Sequence, residues 1–127
     1  MNIVDANIIL RYVLDDHPEL SPKAAEILEQ NALTLPMEVA CEVVYVLQKV
    51  YAVERKDIQQ QLIQLLDENL ITMDKPMVFS KALDRYSSSS FDFVDTLLWA
   101  YHVVEQHEVF TFDEKLTKFI LRTDNTL

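Results

Sequence analysis

A chain of 127 residues is most economically one domain, 1–127, large enough to build a hydrophobic core of its own. Half of it is hydrophobic and a quarter charged, but 21 acids face 11 bases, and the formal net charge of −10 excludes a surface that is basic throughout. Glycine is absent, which removes the Gly-rich phosphate loops of both the Walker and the dinucleotide-binding kind, and the single cysteine, Cys41, cannot form an internal disulfide.

These features point to a cytoplasmic protein. A lone thiol suits a reducing compartment, Asp5 and Asn7 interrupt the early apolar run that a secretory leader needs, and no apolar stretch approaches the roughly 20 residues of a membrane span. Without glycine, left-handed backbone positions fall to Asn or Asp, and Asn31 and Asn69 are expected to take them at helix C-termini.

In chain order, Asn2 to Val4 reads as a first strand, with Asp5 as the cap of a helix carried by Ile8, Ile9, Tyr12 and Val13. Ser21-Pro22 has the capping-serine-then-proline arrangement of a second helix, running to about Gln30. Leu33 to Leu35 is a short second strand stopped by Pro36. Met37 to about Tyr51 is a helix with an apolar face of Val39, Val43, Val46, Leu47 and Val50, and Glu42 lies on the side of Glu38, Tyr45 and Lys49. Lys56 to about Glu68 is helical, Leu70 to Met73 a third strand, and Pro76 to Tyr86 a further helix. The helix from Asp92 is apolar on most sides, which predicts that it is sandwiched. Val109 to Phe112 is expected as a fourth strand ending in Asp113, with a last helix to about Leu121. Strands alternating with helices predict a three-layer α/β/α sandwich with a central parallel sheet.

Twice a strand closes on an acid, at Asp5 and Asp113. If those strands are neighbours, both carboxylates stand on the C-terminal edge of the sheet, where ligands of open α/β folds bind. Glu42 and Asp95 can reach the same crevice from helix N-terminal halves. Carboxylates brought that close repel unless a cation neutralises them, and an all-oxygen set suits Mg²⁺ or Mn²⁺. Such ions activate water for attack on a phosphodiester. Each acid also has a plain structural reading: Asp5 and Asp113 as helix caps, Asp92 and Asp95 as a capping box, Glu42 as a solvated partner of Lys49. Cys41 reads as inert core, His17, His102 and His107 lack zinc-ligand spacing, and Phe79, Phe93, Trp99, Tyr101 and Phe112 fall at core spacing rather than as a base-stacking platform.

Asp5-Ala6-Asn7, Glu42 within Val39 to Val43, Asp92-Phe93-Val94-Asp95-Thr96-Leu97 and Thr111-Phe112-Asp113-Glu114-Lys115-Leu116 together resemble the PIN-domain ribonucleases, and within them the VapC-type toxins of toxin–antitoxin pairs. The resemblance spans Asn2 to about Phe119. It implies a strand order of 3-2-1-4, with the fifth strand short or absent because the chain stops at Asn125-Thr126-Leu127. It further implies an endoribonuclease whose Mg²⁺ or Mn²⁺ is held by Asp5, Glu42, Asp95 and Asp113, with Asn7 and Thr111 as hydrogen-bonding supports and Asp92 as an auxiliary acid. An RNA substrate, a cognate antitoxin protein and a homodimer are the implied partners. Arg11, Lys49 and Lys115 are candidates for steering the RNA backbone. The competing readings are a PIN-like module that binds RNA or protein without cleaving, and a receiver-like signalling domain, which would need a lysine at the end of a late strand where this chain has Thr-Phe-Asp.

Overall fold

The structure, a computed structural model, describes residues 2–125, and these fall into two compact units that meet between Pro76 and Met77. Each unit has its own elements and its own apolar interior.

The first unit opens with β1 (Asn2–Ile3), followed by α1 (Ala6–Leu14) and α2 (Leu20–Gln30), then β2 (Leu33–Thr34), α3 (Met37–Lys49) and α4 (Arg55–Asp67). β1 and β2 pair in parallel, Asn2 opposite Leu33 and Ile3 opposite Thr34. Thr72 bridges the other edge of β2, where its N–H donates to Leu33 O at 2.8 Å and its carbonyl accepts from Leu35 N at 2.9 Å. Helix α1 packs against α2 and α3, and α3 against α4, around Ile9, Leu28, Leu35, Val43, Leu47, Ile58 and Leu62, all at most 1 % exposed. Arg11 ties the unit together on one side: its guanidinium donates to Asp16 at 3.0 Å and to the Tyr51 hydroxyl at 2.8 Å.

The second unit consists of α5 (Pro76–Ser87), α6 (Phe93–Glu105) and α7 (Glu114–Asn125). Phe79 and Tyr86 of α5 meet the edge of Phe93 at centroid distances of 5.8 and 5.7 Å, and all three rings are buried. Trp99 stacks on Phe119, and Phe119 on Phe91, at 5.1 and 4.8 Å, which joins α6 to α7. Trp99 Nε1 donates to the Thr123 hydroxyl at 2.9 Å, so the one polar atom of the buried indole is satisfied.

Several expectations need correction. The fold is mostly helical, with one two-stranded parallel sheet among the described residues, rather than a broad central sheet. Val109 to Phe112 forms no strand: the segment joins no backbone ladder, and Phe110 and Phe112 are 87 % and 106 % exposed. A β-branched and aromatic run becomes a strand only where an edge receives it. Leu70 to Met73 contributes the single bridge at Thr72. Helix α2 starts before Ser21-Pro22, because His17 Nδ1 accepts from Glu19 N and Leu20 N at 3.2 and 2.9 Å and performs the capping expected of the serine. Ser21 instead lies buried and donates to Arg11 O at 2.7 Å.

Left-handed backbone occurs at Asp15, Ala52, Asn69 and Gln106, so Asn69 takes the expected conformation. Asn31 is extended and caps α2 through its amide, which donates to Ile27 O at 2.9 Å. On α6 one side is open, with Val94 and Leu98 at 53 % and 37 % exposure. On α3, Val43 and Leu47 are buried as expected, Ala40 and Val44 are buried beside them, and Val50, the C-cap residue, is exposed. The expected shortening of a fifth strand at Thr126-Leu127 lies outside the described residues. No helix is long and apolar enough to cross a membrane.

Candidate active site

The acids of the second unit stand in one another's field. Asp92 is the N-cap residue of α6, extended at φ −63° and ψ 153°, yet its side chain makes no capping bond, so the expected capping box is not formed. Three residues on, Asp95 sits in the first turn of α6, where the positive end of the helix dipole favours an anion. Its carboxyl is half-buried, and its pKa is nonetheless raised, first by burial and then by the negative charges of Asp113 and Asp92.

Asp113 performs two tasks. Its Oδ1 accepts from Lys115 N at 2.9 Å and Leu116 N at 3.1 Å, the bonding of a helix cap at the start of α7. Both bonds fall on one oxygen, and Oδ2 is left for another partner. The turn is held from behind by Thr111, whose hydroxyl accepts from Asp113 N at 3.0 Å. Thr111 therefore supports the backbone of the acid and not its carboxylate. The capping and ligand readings of Asp113 are compatible.

In the first unit Asp5 is extended at the N-terminus of α1 and its Oδ1 accepts from Ala6 N at 2.8 Å. Asn7, expected as a support for the acids, is exposed, and its side chain makes no hydrogen bond among the described residues. Glu42 projects from the exposed side of α3, in keeping with its plain reading as a solvated carboxylate, and no ion pair with Lys49 forms among the described residues. The cleft of this unit, about 500 Å³ and lined by Tyr12, Asp15, Ser21, Gln61, Gln64 and Glu68 among others, contains none of the predicted acids. The Tyr12 phenol there has a raised pKa, through burial first and then the charges of Glu68, Glu29 and Asp15.

The structure thus brings Asp92 and Asp113 within electrostatic reach of Asp95. Among the described residues no three acids, histidines or cysteines form a ready metal-holding group. The chemistry of the donors fits a hard divalent cation all the same: they are carboxylate oxygens whose mutual repulsion at Asp95 a cation would relieve.

Sequence reading missed two features of the second unit. One is a clasp at His102, whose Nδ1 meets His107 O at 2.8 Å and whose Nε2 meets Asp124 Oδ1 at 2.7 Å. Its pKa is raised by the Asp124 hydrogen bond first and the His107 carbonyl second, and it plays a structural part on the helix face as expected. The other is a set of cations seated on the aromatic stack, for which the only signal in the chain was Lys and Arg spacing on α5 and α7.

The chain matches the PIN domain family over residues 3–120. It belongs to that family, whose members are generally nucleases and typically use divalent metal ions. No curated protein and no solved structure matches it.

Proposed function

We propose that this protein is a Mg²⁺- or Mn²⁺-dependent endoribonuclease of the VapC kind, the toxin of a type II toxin–antitoxin pair. Family membership over nearly the whole chain and the four acidic motifs support this reading. The observation that carries it is the company Asp95 keeps: a half-buried carboxyl at a helix N-terminus, pressed by the charges of Asp113 and Asp92.

Asp95 and Asp113 would hold the cation from the second unit, and Asp5 and Glu42 are proposed as the remaining ligands. That proposal takes the chain, 1–127, as a single functional domain. When bound, the cation supplies Lewis acidity that activates water and offsets charge on the scissile phosphate. Asp92, with its side chain free of capping, is suited to orient or deprotonate an incoming water. Thr111 and the first turn of α7 fix Asp113, so its free oxygen keeps one direction. Asn7 at the exposed start of α1 is available to the substrate as an amide donor. A cytoplasmic location, a homodimer and an antitoxin that places a basic side chain among the acids complete the proposal; such a charge would compete directly with the cation.

Asp5→Asn retains a side-chain oxygen for Ala6 N and removes the charge. Assayed on RNA with Mn²⁺ and with a chelator, the wild type is expected to cleave only with metal and the variant to lose at least a hundredfold in rate. Cleavage that ignores both metal and substitution would refute the mechanism. Metal-dependent RNA binding without any cleavage would instead identify a silent PIN-like module.

A further inference from the structure

The five Lys and Arg residues from Met77 onward all lie on α5 and α7. Lys81 and Arg85 are four residues apart on α5, and Lys115, Lys118 and Arg122 recur every three or four residues on α7, so each helix carries its cations along one side. Lys81 and Arg85 of α5 and Lys115 of α7 border the stack of Phe91, Phe119 and Trp99. The Arg85 guanidinium lies 5.1 Å from the Trp99 centroid and 5.4 Å from that of Phe119. Lys81 Nζ lies 5.7 Å from Trp99, and Lys115 Nζ lies 5.4 Å from Phe91. All five cations are exposed, whereas Trp99 is 2 % exposed, so the rings serve as a floor and the charges face water.

In a protein of net charge −10 this is a local reversal of sign. Asp84 on α5 and Glu114 and Asp124 on α7 are three acids against the five bases, and Asp124 is engaged by His102. Seating a cation over an aromatic face orders a long side chain before any ligand arrives, which lowers the entropy lost on binding. One end of the patch is fixed by chain continuity: Lys115 follows Asp113 by two residues, and Asp113 in turn acts on Asp95. A polyanion lying on the cations would therefore lead to the acids.

We propose that Lys81, Arg85, Lys115, Lys118 and Arg122 form the track on which the phosphate backbone of single-stranded RNA runs toward Asp95 and Asp113, an inference that rests on the nuclease reading. The rings beneath are covered by cations and by one another, so the track reads charge and spacing rather than base identity. Arg11, by contrast, is committed to Asp16 and Tyr51 and takes no part.

The test measures binding of a fluorescein-labelled mixed-sequence RNA by anisotropy, with Ca²⁺ in place of Mn²⁺, across a salt series. The triple variant Lys81→Ala, Arg85→Gln, Lys118→Ala is expected to bind about tenfold or more weakly, with a salt slope shallower by about 2, since each lost phosphate contact on a single strand contributes roughly 0.7. Lys23→Ala with Lys56→Ala, in the first unit, should leave both unchanged. Arg85→Lys, which keeps the charge, should retain the slope, and circular dichroism identifies any variant that fails to fold. In Mn²⁺ the triple variant should raise KM with kcat retained. A triple variant that binds with wild-type affinity and slope would overturn the track while Asp5→Asn still reports on the nuclease. Weakened binding by a chain that never cleaves would support the track and remove the nuclease.

Discussion

Asp113 allows its two tasks to be separated by chemistry. Asp113→Ala removes the acceptor of both Lys115 N at 2.9 Å and Leu116 N at 3.1 Å, leaving the first turn of α7 uncapped. Loss of an N-cap costs about 1 kcal/mol, within a range of roughly 0.5–2. Leu116, 1 % exposed, is the residue this turn holds in the core, which places the expected cost in the upper half of that range. For a chain of this length about 1 kcal/mol corresponds to a midpoint lower by roughly 3–6 °C. Asp113→Asn keeps an oxygen in the capping position and should unfold within about 0.5 kcal/mol of the wild type, because Asn caps as well as Asp does. Both variants lose the charge proposed to hold the cation. Urea unfolding followed at 222 nm gives the stabilities, and RNA cleavage in Mn²⁺ gives the activity. The expected pattern is one destabilised variant, one stable variant and two inactive enzymes. A stable Asp113→Asn that cleaves at the wild-type rate would show that this residue is a cap and nothing more.

His102 should make the second unit pH-sensitive. Its folded pKa lies above 6.5, so the clasp to Asp124 contributes fully below the unfolded value and is lost as pH rises through the folded one; amide exchange in α7 should accelerate over that interval, and His102→Phe should abolish the dependence. At Asp95 the sign is opposite to that of a salt-bridged carboxylate: its raised pKa means that ionisation costs the folded state, a penalty complete above the folded pKa and relieved as pH falls through it. Metal-free Asp95→Asn should thus melt no lower than the wild type, while Mn²⁺ at a hundred times its Kd should stabilise only the wild type, by about 2.7 kcal/mol; equal stabilisation of both chains would remove Asp95 from the ligands. Phe79→Ala, at a fully buried ring in edge contact with Phe93, should cost about 3–5 kcal/mol in urea unfolding, a large part of the total stability. Glu42→Gln, on an exposed helix side with no bond to lose, should change stability by less than about 0.5 kcal/mol and yet abolish metal-dependent cleavage.

What could be read from the chain was local. Asp5 before an apolar 3.6-residue pattern identified both α1 and its cap, and the run from Asp92 identified α6 within a residue at its start. Ser21-Pro22 misled because the decisive acceptor was an imidazole four residues earlier, and no propensity scale anticipates a histidine cap. Val109 to Phe112 has the composition of a strand, but composition does not supply a hydrogen-bonding edge. For the site, the acids were visible as residue types at helix starts. The field that Asp113 exerts on Asp95 was not, because it depends on the tertiary approach of α6 and α7.

Three of the four proposed metal ligands stand at helix N-termini: Asp5 before α1, Asp95 in the first turn of α6, and Asp113 before α7. This follows from electrostatics rather than from coincidence. A protein that must fold before it meets its cation has to keep unneutralised carboxylates in place, and the partial positive charge of a helix start, with its unpaired N–H groups, is the cheapest neutral-backbone means of doing so. Caps and ligands then compete for the same oxygens. Asp113 resolves that competition by giving both backbone bonds to Oδ1, and Asp5 likewise spends Oδ1 on Ala6. Asp95 lies one turn deeper, where it receives the dipole but more burial, and burial with the charges of Asp113 and Asp92 raises its pKa. A divalent ion would relieve the burial and repulsion that act on Asp95, and on these physical grounds metal binding and stability should be coupled at that residue.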